Sequence, residues 1–131
     1  MSSLIDLLEH LKSRPRMYFS TAGRPHSIHL LQAFLLGVDC GRQFHAEPRD
    51  FDYFTEWVAT RYRVLAEGRG GFDMIVEHVG GDEQEAYDEF FRLLPAFLRD
   101  KRELGRDGII SRFSEAQDEA FKAFEKESRN E

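Results

Sequence analysis

Apolar residues recur at helical spacing along almost the whole chain, the 3.6-residue period of amphipathic helices. Leu4, Leu7, Leu8 and Leu11 form a first stripe, with Ser3 placed to cap it and Pro15 placed to stop it shortly after Ser13. Residues 14–26 contain Pro15, Gly23 and Pro25 and predict a loop, with Tyr18 and Phe19 tucked under the helices. A second helix starts near Ser27 and uses Ile28, Leu31, Phe34, Leu35 and Val38; Leu30 and Leu36 widen its apolar face, so it is expected to be central. Gly41 would end it, unless it runs on to Phe44.

Pro48 suits the first turn of a third helix, with a stripe of Phe51, Phe54, Val58 and Leu65 flanked by Trp57 and Tyr62. Gly68-Arg69-Gly70-Gly71 then breaks the chain. Over 72–79 the spacing of Phe72, Ile75, Val76 and Val79 favours a short helix, with a short strand as the alternative. Asp82 opens the next helix, and Glu85 three residues on makes a capping-box pattern. Its buried face is Ala86, Phe90, Leu93, Leu94, Phe97 and Leu98, and Pro95 inside it predicts a kink. Residues 100–112 are polar, contain Gly105 and Gly108, and predict a linker anchored by Ile109 and Ile110. Ser114 and Gln117 fit a capping box for a last helix over 113–128, carrying Phe113, Ala116, Ala120, Phe121 and Phe124, with a frayed tail. The expectation is an all-α, single-domain bundle of five or six helices over residues 1–131, with its core at about 3–98.

Composition narrows the function classes. At 131 residues, one domain is the default. A formal net charge of −6 argues against a nucleic-acid partner held through phosphate contacts. One cysteine, Cys40, provides no disulfide framework and suits a reducing compartment. The N-terminus lacks a signal-peptide pattern and no run of ~18 apolar residues occurs. A cytoplasmic protein with no membrane partner is therefore expected.

Chemistry-bearing motifs are scarce. The glycine run at 68–71 lacks the strand-to-helix context of a phosphate cradle. His10, His26, His29, His45 and His78 are scattered, and no C-x-x-C pair joins them, so no metal site is assigned. Cys40 falls near a helix C-terminus, which disfavours a thiolate, so a buried structural role is expected. The carboxylate pairs Asp52/Glu56 and Glu85/Glu89 stand one turn apart, but acid–base work needs a pocket that raises one of the two pKa values. No catalytic residue, cofactor or metal is assigned, and a non-enzymatic protein is expected.

Charge distribution is more informative. The chain is +1 over residues 1–65 and −7 over 66–131. Asp82, Glu83, Glu85, Asp88 and Glu89 form a cluster with no Lys or Arg until Arg92. Carboxylates suit a helix N-terminus, yet five exceed what capping needs. The cluster is either a solvated face or a contact surface whose partner supplies the counter-charge. Tyr53 and Trp57, beside Asp52 and Glu56, form a second candidate patch: an aromatic interface anchor, or a widening of the core face.

Four segments carry a family resemblance: Arg14-Pro15-Arg16-Met17-Tyr18-Phe19, Phe34-Leu35-Leu36-Gly37, Trp57-Val58-Ala59-Thr60-Arg61-Tyr62 and Ala86-Tyr87-Asp88-Glu89-Phe90-Phe91-Arg92-Leu93-Leu94. They resemble a family of small helical bacterial proteins associated with polymorphic toxin systems, a resemblance that covers about residues 4–98. The chain departs from that pattern at Arg16, where glycine is commoner. The resemblance implies an immunity-type role and transfers no catalytic residue. The resulting expectation is an acidic binder that neutralises a cognate toxin, or another basic protein, by occluding a basic surface. The alternatives are a regulatory adaptor or homodimeric interaction module, and a small-ligand binder or enzyme with a site in the bundle core near Tyr18, His29 and Trp57.

Overall fold

The computed structural model describes residues 4–13, 28–43 and 51–129, and for residues 4 and 36–43 the backbone alone. The Arg14–Phe19 segment, His26, His45, Pro48 and the side chain of Cys40 lie outside this description. Among the described residues there are five helices and no strand: α1 (Leu4–Ser13), α2 (Ile28–Gln43), α3 (Phe54–Tyr62), α4 (Gly71–His78) and α5 (Glu83–Arg129). The expected all-α bundle is what the chain forms, and residues 72–79 belong to a helix and its end, with no strand.

The first turns of α3 differ from the expectation. Residues 51–53 form a turn, and Tyr53, at φ 71°, is left-handed immediately before Phe54. The helix therefore starts at Phe54, and Phe51 reaches the core from the turn rather than from a helix that began near Pro48. At the other end, Arg63 is left-handed (φ 55°), and its N–H and that of Val64 bond to the carbonyls of Thr60 and Ala59. That is a Schellman-type ending with arginine where glycine is usual.

An aromatic cluster organises α3, α4 and α5. The Phe54 ring lies 5.0 Å from Phe97, 5.6 Å from Phe72 and 5.7 Å from both Phe51 and Phe90. The pairs with Phe51, Phe90 and Phe97 are edge-to-face, a geometry that adds about 0.5–1.5 kcal/mol each beyond the area they bury. Gly71 permits the approach of α4: a Cβ there would stand 2.9 Å from Phe54 Cδ2, and its N–H donates to Thr55 Oγ1 at 3.1 Å. Arg69 closes the preceding loop by donating to the carbonyls of Leu65 and Ala66 and pairing with Glu77. Leu8 and Leu11 of α1 and Ile28, Leu31 and Leu35 of α2 complete the buried core.

The linker expected at 100–112 is helical instead. α5 runs from Glu83 to Arg129 with one non-helical residue, Gly105, at φ 64° and ψ −175°. That combination is essentially glycine-only. Backbone dihedrals stay helical through Pro95, which faces solvent, so the break sits at Gly105 rather than at the proline. The two glycines and the polar sequence that predicted a linker thus mark a one-residue hinge point between a first arm, Glu83–Leu104, and a second, Arg106–Arg129. Ser114 and Gln117 lie inside the second arm and cap nothing. Gln117 instead reaches back 51 residues: its Oε1 accepts from the Ala66 N–H at 3.1 Å and its Nε2 donates to the Val64 carbonyl at 2.8 Å. Ile109 is buried, as expected, and with Gln117 fixes the second arm to the body.

Candidate functional site

The acidic start of α5 divides into carboxylates with structural work and carboxylates without it. Asp82 precedes the helix and its Oδ1 accepts the Glu85 N–H at 2.9 Å, satisfying one of the orphan donors of the first turn. Glu83 is partly buried, with an oxygen 3.4 Å from His29 Nε2 on α2. Glu89 is the least exposed; it pairs with Arg92 at 2.8 Å and lies 3.5 Å from the Tyr62 hydroxyl. Tyr62 also stacks on His78, with ring centroids 3.9 Å apart. Burial, and then the Glu89 charge, push the Tyr62 phenol up to about 12. Glu85 and Asp88 are exposed, and among the described residues neither has a cation within ion-pairing distance. Asp88 borders an open groove that also holds Lys12, Tyr87, Phe91, Arg92 and Pro95. The cluster therefore reduces to Glu85 and Asp88 as projecting charges, with Asp82 exposed beside them but engaged as a cap.

The second patch is not continuous with the first. Glu56 lies in the first turn of α3, whereas Glu89 approaches Tyr62 at the last residue of α3, about 9 Å further along the axis. Asp52, Tyr53 and Glu56 are half-buried. Of the two readings of Trp57, interface anchor or widening of the core face, its position matches the second: it is 5% exposed, its ring lies 5.6 Å from Phe97, and it belongs to the core. The physical reason is its position one turn after Phe54, on the same side of α3, facing the first arm of α5. Its indole N–H is not stranded there, because it donates to Asp100 Oδ2 at 3.0 Å.

Of the three residues considered for a site in the bundle core, Tyr18 lies outside the described residues. His29 is exposed against Glu83, and Trp57 lines a separate cleft. That cleft went unnoticed in the sequence. It opens where α5 breaks, has a volume of about 170 Å³, and is lined by Trp57, Thr60, Arg61, Asp100, Leu104, Ile109 and Arg112. Arg61, one turn after Trp57, holds its guanidinium 5.6 Å from the indole ring, a cation–π arrangement. The Trp57–Arg61 spacing was visible in the sequence. Asp100, Leu104 and Arg112 were not, because they fell in the expected linker. Among the described residues, no group of three or more His, Cys, Asp or Glu side chains converges as a metal site, and no helix is long and apolar enough to cross a membrane.

In comparisons with known proteins, no family model matches the chain, and neither the curated proteins nor the solved structures give a significant match.

Proposed function

We propose that this chain acts by binding and performs no bond-making: an acidic helical protein of the cytoplasm, of immunity type, that neutralises a cognate toxin by covering a basic surface. The observation that carries the proposal is the pair Glu85 and Asp88, exposed one turn apart without a partner cation among the described residues, on a helix whose opposite side is fixed by Phe90, Phe91 and Leu94. Retaining adjacent like charges on a rigid face costs a few tenths of a kcal/mol, and a cationic partner would supply what is missing. A nuclease toxin suits this best, since a surface that binds phosphates also accepts carboxylates. The test is association with a toxin-domain protein encoded beside this gene, or, without such a neighbour, with a basic protein captured from the native host. The double charge reversal E85K/D88K should slow association at least tenfold, steepest at low salt, and leave the helical signal intact. Unchanged kinetics at low salt would defeat the proposal.

Phe121 and Phe124 support one second reading. They are 52% and 53% exposed on the second arm of α5, as expected of an interaction module or homodimer. A concentration-dependent dimer in light scattering, lost on substituting both with serine, would favour it.

A further inference from the structure

We infer that the cleft at the Gly105 break is a binding site for a small organic carboxylate, whose charged end is taken by Arg61 and Arg112 and whose apolar end rests on Trp57, Leu104 and Ile109. This goes beyond the proposed binding of a basic protein and uses a different face of the molecule. The argument starts from charge. In a chain of net charge −6, arginines find carboxylates readily: Arg69 pairs with Glu77, Arg92 with Glu89 and Arg99 with Asp100. Arg61 and Arg112 line one cleft, and among the described residues neither has a carboxylate within 4.0 Å. Asp100, the carboxylate in that cleft, already accepts the Trp57 N–H and lies 3.5 Å from Arg99 Nε. It forms no ion pair with either guanidinium.

The walls define the rest of the ligand. Trp57 and Ile109 are nearly fully buried and hold fixed positions in the core, and Leu104 packs against the same core. The Arg61 guanidinium is held over the indole, so part of its ordering precedes any ligand. A planar guanidinium accommodates a carboxylate through two parallel hydrogen bonds; inorganic phosphate can use the same fork but has no apolar end to rest on Trp57, Leu104 and Ile109. At about 170 Å³ the space lies below the roughly 300–1,000 Å³ of drug-sized sites, so the ligand has only a few heavy atoms beyond its carboxylate. An adjoining groove continues the basic edge with Arg63 and contains Glu115 and Glu119. Those carboxylates are the internal competitors for Arg112.

Trp57 is the single tryptophan of the chain and lines the cleft, so its emission reports occupancy directly. The full-length protein is titrated with 3-methylbutanoate, with the neutral 3-methylbutanamide and with inorganic phosphate. The expected result is a saturable emission change with the carboxylate, a response at least tenfold weaker with the amide and with phosphate, and at least a tenfold loss of affinity in both Arg61→Gln and Arg112→Gln. Both arginines are exposed, and circular dichroism confirms that the variants keep their helices. Glu115→Gln should tighten binding by removing a competitor. Absence of a saturable change, equal response to the amide, or retained affinity in the R61Q/R112Q double variant would each overturn the assignment. So would amide chemical-shift changes that fall outside residues 57–61 and 100–112. None of these outcomes bears on E85K/D88K and the toxin, so the two proposals fail independently.

Discussion

The two arms of α5 differ chiefly in what they bury. The first, Glu83–Leu104, puts Ala86, Tyr87, Phe90, Phe91, Leu93, Leu94 and Phe97 into the core. The second, from Arg106 onward, buries Ile109 and leaves every residue from Phe121 to Arg129 exposed. Both carry aromatic and aliphatic residues at helical spacing. The first meets α3 and α4 through Phe97 and Phe90 and α2 through Glu83, whereas the second is held by buried Ile109, half-buried Phe113 and the Gln117 clamp. Periodicity identifies a helix and its apolar face; whether that face is covered depends on elements far away in sequence.

The largest expected contrast lies between phenylalanines of the two arms. Phe97 is fully buried, so Phe97→Ala should cost about 3–5 kcal/mol through lost burial and a residual cavity. Phe121→Ala or Phe124→Ala should stay within about 0.5 kcal/mol, as for other exposed positions. Urea denaturation of the three variants measures this. Equal losses from Phe97 and Phe121 would show that the second arm is packed in solution.

The break between the arms comes next. A Cβ at Gly105 meets nothing within 4 Å, so Gly105→Ala is penalised only through its backbone dihedrals, by about 1–3 kcal/mol. The same variant should also reorient the second arm. The Trp57 emission, sensitive to Leu104 and Ile109 beside it, should shift. A neutral substitution with unchanged emission would mean that the two arms join as one straight helix.

Gln117 gives a smaller effect. Gln117→Ala removes two hydrogen bonds to partly buried backbone groups, each contributing about 0.5–1.5 kcal/mol. Hydrogen exchange at the Ala66 amide should accelerate while the amides of Phe90 to Phe97 keep their protection. If those core amides accelerate equally, the arms unfold as one cooperative unit.

Much of this architecture was legible in the sequence. The capping aspartate Asp82, the aromatic face of the first arm and the helix after the glycine run follow from local chemistry: a side-chain acceptor three residues before a glutamate, apolar period 3.6, and glycines at the boundary. The second arm was placed less well, because Gly105 and Gly108 in a polar stretch predict a linker by the same local rules. What the local rules leave out is the docking of that stretch through buried Ile109 and of the arm beyond it through Gln117. The site divides the same way. Five acidic residues within positions 82–89 were plain to see, but which ones project depended on His29, Tyr62 and Arg92. Trp57 beside carboxylates left an interface anchor and a widened core face both open, since sequence does not reveal that Phe97 lies across from it. The arginine cleft was invisible because its two sides stand about 50 residues apart in the chain.

The smallest effect, absent at neutral pH, concerns the two tyrosines that tie the first arm down. Tyr62 leans on Glu89 of that arm and Tyr87 lies within it. Burial raises both phenols to about 12, helped by the charges of Glu89 and Asp88 respectively. A phenol whose folded pKa exceeds its unfolded value near 10 holds its proton more tightly in the folded state. Its contribution to stability is complete below pH 10 and is lost as pH rises from about 10 to 12. The second arm contains no tyrosine, so alkaline loosening should begin in the first arm. Melting temperatures across that window should fall in the parent protein and fall less steeply in Tyr62→Phe, with no difference between the two slopes at pH 7–9. An unchanged alkaline slope in Tyr62→Phe would mean that the Tyr62 phenol stays in water in solution, neither buried at the end of α3 nor held beside Glu89.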